Sequence, residues 1–152
     1  MSKDRQPPKL APKEELDALL QEFSNMNAYG DAIRQQLELA SNIIGDMLLS
    51  KASLTEIKSR GGNGETLIHI GAGNYIKAQL KEVNSVIIGI GSGVSVEKSL
   101  DDAISNINSR IKQGQEQATA LQNNYVQISA RLGQLQSRID QLYAQLEAAG
   151  QA

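Results

Sequence analysis

The sequence predicts an α+β fold in which a long antiparallel two-helix coiled coil is joined by two β-hairpins, and the hairpins form a hub through which several chains assemble. Three observations predict it. Apolar residues recur at 3,4 spacing through two long stretches, a short central stretch alternates with a period of two, and glycine-rich turns separate the two patterns. Composition agrees. One Phe, no Trp and four Tyr in 152 residues leave few large side chains to fill a wide interior, whereas a seam between two helices needs only aliphatic residues of moderate size.

Residues 1–11 carry Lys3, Arg5 and Lys9 among prolines and polar residues. They read as a disordered tail that lacks the apolar core of a secretory signal. The first helix is expected over 12–60, with Pro12 in its first turn and Glu14 and Glu15 at the positive end of its dipole. Its seam runs Leu16, Leu19, Phe23, Met26, Gly30, Ile33, Leu37, Ala40, Ile44, Met47, Lys51 and Leu54. Only Gly30 and Lys51 break the apolar rule. The run Gly61-Gly62-Asn63-Gly64 then supplies the left-handed conformations that stop a helix.

The second helix is expected over 99–149, where Ser99 and Asp102 resemble a capping box and Asp101 adds a charge suited to the dipole. Its seam runs Leu100, Ile104, Ile107, Ile111, Gly114, Ala118, Leu121, Tyr125, Ile128, Leu132, Leu135, Ile139, Leu142, Leu146 and Ala149, with Gly114 the one gap. Each helix would be about 70–75 Å long at 1.5 Å per residue. Seven uninterrupted heptads are too long for one face of a globular bundle in so small a chain. Similar lengths and a short connector bring the helices back antiparallel. Pairing outward from the connector sets Gly114 opposite the neighbourhood of Ile44, and Gly30 opposite that of Ile128, so that each gap faces a bulky partner.

In the connector, 61–98, apolar residues alternate as strand faces do: Ile68 and Ile70, then Ile76, Ala78 and Leu80, then Val86, Ile88 and Ile90, then Val94 and Val96. Turns are signalled at Gly71–Asn74, at Asn84-Ser85 and at Gly91–Gly93. Two hairpins result. Four such short strands cannot enclose a core alone, so these ten apolar residues are the expected subunit-assembly surface, closed by strands of other subunits.

A formal net charge of −2 gives no basic footprint for nucleic acid. No stretch of about 18 apolar residues is present for a membrane span, and a soluble, cytoplasmic protein is expected. Without cysteine there is no disulfide framework, thiolate metal site or thiol nucleophile. Gly89-x-Gly91-x-Gly93 is followed by Val-Ser-Val rather than by a helix, which speaks for a strand turn and against a dinucleotide site. The Gly61–Gly64 run lacks the Lys-Ser or Lys-Thr of a phosphate-binding loop. His69, the only histidine, alternates with apolar residues and has no cluster of metal-ligand spacing around it. No general base is placed by a recognisable motif, so neither an enzyme nor a cofactor is expected.

Leu67–Ile76 reads LIHIGAGNYI, and Val86–Ile104 reads VIIGIGSGVSVEKSLDDAI. With the order helix, two hairpins, helix, these stretches resemble the archaeal-type alpha subunits of the prefoldin family, whose beta class has one hairpin. The closest correspondence is a glycine-rich hairpin followed by a Val-x-Val-Glu-Lys-Ser junction, carried by Val94, Val96, Glu97, Lys98 and Ser99. His69 departs from the pattern, standing where the family's first strand commonly has proline. The resemblance implies a hetero-hexamer with beta-type subunits, two alpha and four beta, in which the hairpins assemble into an oligomeric β-barrel hub. It further implies ATP-independent capture of unfolded polypeptides at the coiled-coil tips and their transfer to a group II chaperonin.

The tips offer a physical basis for capture. Helix ends fray, and an opened end would free Leu16, Leu19, Phe23, Ile139, Leu142 and Leu146. Leu20 and Tyr143 add apolar area outside the seam at the same end. Ile43, Leu48, Leu49 and Ile57 also lie off the seam and are expected to pack against the hub or a neighbouring arm. The many glutamines from Gln113 onward fill solvent faces. The rival reading is a structural coiled-coil scaffold or tether that oligomerises through its β hub.

Overall fold

The computed structural model of the chain describes residues 11–150; the tail expected over 1–11 lies, but for Ala11, outside the described residues. The elements run α1 (Pro12–Ser59), β1 (Gly64–Gly71), β2 (Asn74–Leu80), β3 (Ser85–Gly91), β4 (Val94–Ser99) and α2 (Leu100–Ala148). Two long helices with two antiparallel hairpins between them are therefore present, as the two periodicities require. The strands form two separate two-stranded sheets, β1-β2 and β3-β4. No barrel closes among the described residues of one chain.

Side-chain chemistry sets each helix end. Glu14 Oε2 accepts from Ala11 N at 3.4 Å, ahead of the first turn of α1. At the other end Gly62 N donates to Ile57 O at 2.9 Å and Gly61 N donates to Lys58 O at 3.0 Å. This is the paired closure of a Schellman motif, with both glycines at positive φ, 62° and 76°. For α2, Ser99 Oγ accepts from Asp102 N at 3.1 Å, satisfying one of the free amides of the first turn.

The chain divides into two compact units, one holding the residues up to Glu38 with those from Thr119 on, the other Leu39–Ala118. Both helices contribute to each. In the first unit they pack antiparallel through Leu16, Ile139, Leu142 and Leu146, with Leu19 and Phe23 against that cluster. A β-carbon at Gly30 would come within 3.2 Å of Ile128 Cγ2. In the second unit Met47, Ile107 and Ile111 form the buried cluster, with Ile44 and Leu54 against it. There a β-carbon at Gly114 would meet Ile44 Cγ1 at 3.2 Å and Met47 Cε at 3.3 Å. Both gaps expected from the seam thus hold the partners expected for them. Lys51, the charged seam position, is exposed.

Within the second unit a clasp joins the end of α1 to the link between hairpins. Gly62 O accepts from Val83 N at 3.0 Å, and Leu100 N, the first residue of α2, donates to Asn84 O at 3.1 Å. The Asn63 amide bridges the gap, its Nδ2 donating to Gly61 O and its Oδ1 accepting from Glu82 N, both at 3.0 Å. Gly62 is buried, and a β-carbon there would lie 2.6 Å from Val83 N and closer still to the Val83 carbonyl. Its absent side chain is what permits the backbones to meet.

Both hairpins turn on one plan. A Gly-x-Gly segment gives positive φ at Gly71, Ala72 and Gly73 and again at Gly91, Ser92 and Gly93, with a register shift just before each turn. Two consecutive left-handed residues produce the tight turn that follows strand twist. Register pairs Ile68 with Ile76 and Thr66 with Ala78, and, in the second hairpin, Ile88 with Val96. The expected apolar residues thereby share one face of each hairpin.

Gly62→Ala should cost at least about 2 kcal/mol, combining left-handed strain with displacement of the Val83 backbone. Gly133→Ala, on α2 with nothing within 4 Å of the added carbon, should instead stabilise by about 0.5–1 kcal/mol. Chemical denaturation followed by circular dichroism checks both signs.

Candidate binding and assembly surfaces

In the first unit, the ends of the two helices bring together six of the eight residues expected at the tip, Leu16, Leu19, Phe23, Ile139, Leu142 and Leu146. The seam members are shut in. Leu16, Ile139, Leu142 and Leu146 are 6%, 3%, 1% and 4% exposed, and Leu19 and Phe23 are half-buried. Leu20 at 38% and Tyr143 at 43% remain open. The seam is therefore closed at this end, and the apolar surface on offer is the off-seam pair with the edges of Leu19 and Phe23.

Ion pairs flank the closed seam. Arg138 Nη2 lies 2.7 Å from Glu15 Oε1, and Arg131 Nε and Nη2 donate to Glu22 Oε1 at 2.9 and 2.6 Å. Pairs this exposed contribute under about 1 kcal/mol each. Their clearer effect is to hold α1 and α2 in one register beside the seam. Further along, Met26, Tyr29, Asn124, Gln127, Ile128 and Arg131 line a groove of about 340 Å³ at the Gly30 gap.

The second unit carries the hairpins. On the expected assembly face, burial falls from base to turn. Ala78, Leu80, Val86, Ile88 and Val96 are half-buried, whereas Ile68, Ile70, Ile76, Ile90 and Val94 are 47–59% exposed. A row of large aliphatic side chains on two-stranded sheets with unpaired edges is unfinished as a core. The opposite face holds apolar residues that alternation alone passes over: Leu67 at 60%, Tyr75 at 57% and Ile87 at 77% exposed. For Ile87 the signal is the unbroken run Val86-Ile87-Ile88, since strands buried on both faces do not alternate. His69 stands across from Tyr75, the rings edge to face with centroids 5.1 Å apart.

Of the off-seam residues of α1, Ile57 is half-buried and lines a cavity of about 180 Å³ with Arg60, Thr66 and Leu80. Ile43, Leu48 and Leu49 are 48%, 46% and 69% exposed, so about half or more of each side chain is left uncovered by the described residues. Among the described residues no helix is long and apolar enough to cross a membrane.

A family model described as "Prefoldin subunit" matches residues 13–145. The chain belongs to the prefoldin family. It is 30% identical over 132 residues to prefoldin subunit alpha of Methanobrevibacter smithii, a match covering 87% of this chain and 90% of that one. To prefoldin subunit alpha of Thermococcus onnurineus it is 37% identical over 101 residues, 66% of this chain and 69% of the relative. The cryo-EM structure of filamentous PFD from Methanocaldococcus jannaschii shares the fold, with a TM-score of 0.62 at 16% identity over 80% of this chain and 98% of that chain. The family is the one to which the hairpin motif and element order pointed. In this prefoldin chain the motif residues Val94 to Ser99 form β4, and Ser99 caps α2.

Because Leu142 is enclosed and Leu20 is not, truncation separates their roles. Leu142→Ala should cost about 2–4 kcal/mol by leaving a cavity in the cluster, and Leu20→Ser less than about 1 kcal/mol. Thermal unfolding of the two variants checks the contrast.

Proposed function

We propose that this prefoldin chain is the alpha-type subunit of an ATP-independent chaperone, which captures unfolded polypeptides at the helix ends and passes them to a group II chaperonin. The observation that carries the reading is Leu20 and Tyr143, open to solvent beside an otherwise closed apolar cluster. A chaperone needs exposed apolar surface that is small enough not to drive its own aggregation. Covering one such side chain gains about 1.5–3 kcal/mol at most, so one arm holds weakly and reversibly. Several arms on one client then raise avidity by orders of magnitude.

Assembly supplies the several arms. The proposed hub is a β-barrel closed over Ile68, Ile70, Ile76, Ala78, Leu80, Val86, Ile88, Ile90, Val94 and Val96 by strands of beta-type subunits, two alpha to four beta, in the cytoplasm. Open strand edges and the exposed aliphatic face support it. Leu16, Leu19, Phe23, Ile139, Leu142 and Leu146 form the platform on which Leu20 and Tyr143 stand, and they become further client surface where the end frays.

The double variant Leu20→Ser with Tyr143→Ser leaves the seam intact, and should lower suppression of aggregation of several unrelated denatured proteins by severalfold without changing oligomer size. Undiminished suppression would reject helix-end capture. Ile68→Asp with Ile88→Asp should leave helicity intact while native mass spectrometry loses the oligomer. An oligomer that survives both charges rejects the hub.

A further inference from the structure

We infer that the surface around Leu20 and Tyr143 selects client segments in which an apolar stretch is flanked by lysine or arginine; this rests on the capture reading above. The apolar part of the surface is small, and its surroundings are acidic. Residues three or four apart are neighbours on a helix surface. Asp17 therefore precedes Leu20 by one turn of α1, while Asp140 and Glu147 stand one turn on either side of Tyr143 on α2. All three carboxylates are exposed.

Lys13, one turn before Asp17, offsets one of these carboxylates and leaves the rim net acidic. Residues 12–23 and 138–148 contain Glu14, Glu15, Asp17, Glu22, Asp140 and Glu147 against Lys13 and Arg138. Arg138 is held by Glu15 at 2.7 Å, and Arg131 by Glu22 at 2.6 Å. Each arginine thus cancels a carboxylate beside the seam rather than one beside the exposed pair. Asp140 Oδ1 accepts from Gln136 Nε2 at 2.8 Å, a neutral partner that leaves its charge in place.

The occupant that fits is an extended chain with alternating demands. A carboxylate one turn from an apolar contact lies about 5–6 Å away, a separation that an extended polypeptide spans in about two residues. Lysine or arginine two or three positions from an apolar residue then reaches the rim as the apolar side chain covers Leu20 or Tyr143. Acidic flanks are repelled. The apolar contact persists in salt, whereas the exposed charge pairs are screened with a Debye length of about 10 Å at 0.1 M.

Three labelled peptides with one apolar centre and Lys, Ser or Asp flanks separate the terms when titrated by fluorescence anisotropy against the full chain. At low salt the Lys-flanked peptide should bind about three- to tenfold tighter than the Ser-flanked one, with the Asp-flanked one weakest; the range reflects a few exposed pairs. High salt, or the variant Asp17→Asn with Asp140→Asn and Glu147→Gln, should remove the ranking while leaving Ser-flanked binding unchanged, with thermal melts confirming an intact fold. Equal affinities at low salt, or a ranking that survives in the triple variant, overturn the inference. Residues 1–10 bring Lys3, Arg5 and Lys9 into the same chain and are the competing occupant. If their removal tightens all three peptides alike, the rim serves that segment and the inference falls. Failure of capture itself reads differently, as Ser-flanked binding that Leu20→Ser with Tyr143→Ser does not weaken.

Discussion

The apolar seam between α1 and α2 is the constraint on which the remaining structure depends. Among the described residues neither helix has another helix against which to bury its stripe, and helices owe most of their stability to such a face rather than to intrinsic propensity. The seam also has to choose one register among several that a uniform aliphatic stripe would allow. Two glycines help to make the choice. Gly30 receives Ile128 in the first unit, and Gly114 receives Ile44 and Met47 in the second. Shifting the pairing by a heptad would set Ile128 against Phe23 or Leu37, and Ile44 against Ile107 or Leu121, instead of against a glycine, and such overpacking costs stability. The pairs Glu15–Arg138 and Glu22–Arg131 add little energy but agree with the same register.

From the closed seam follows the open hub. The helix seam is committed to its mate, the off-seam Ile43, Leu48 and Leu49 stay exposed rather than covering the hairpins, and these emerge as two separate sheets. Isolated hairpins are marginal in water. What orders them here is their attachment: Gly62 against Val83, Asn63 to Glu82, and Asn84 to Leu100 anchor the link between hairpins to the bases of both helices. Order therefore enters from the base, and the gradient of burial toward the turns, from half-buried Val86 and Ile88 to 59% exposed Ile90, records it.

Most of this was legible in the sequence because it is periodic. Spacing of 3,4 finds a helix seam and spacing of 2 finds a strand face, and the glycine breaks in the seam could be matched to isoleucines by counting. The clasp could not be found in this way. Gly61 to Gly64 read as a helix stop, and nothing local says that Gly62 must also be small because a backbone 21 residues later lies on it. Ala103, 1% exposed, escapes for a related reason: it lies one position before Ile104, outside the heptad spacing. Ile87 was passed over because alternation assigns one face to each strand, and a run that is apolar on both faces breaks that rule.

The helix ends show how far spacing reaches toward function. Counting identifies which residues form the seam but not whether it is open, since a frayed end and a zipped one have the same heptads. Four aliphatic side chains are enclosed there, each worth about 1.5–3 kcal/mol when fully buried. Opening the end to present all four would therefore cost several kcal/mol, more than one weak client contact returns. On the proposed reading, capture must begin on what is already exposed, Leu20 and Tyr143, and can recruit Leu142 or Phe23 only as the client replaces the contacts that the seam gives up. A chain that binds first at the off-seam pair exchanges one apolar neighbour for another at each later step, so no step exposes much new surface to water. On the proposed reading, such a surface holds an unfolded polypeptide without becoming a site of aggregation itself.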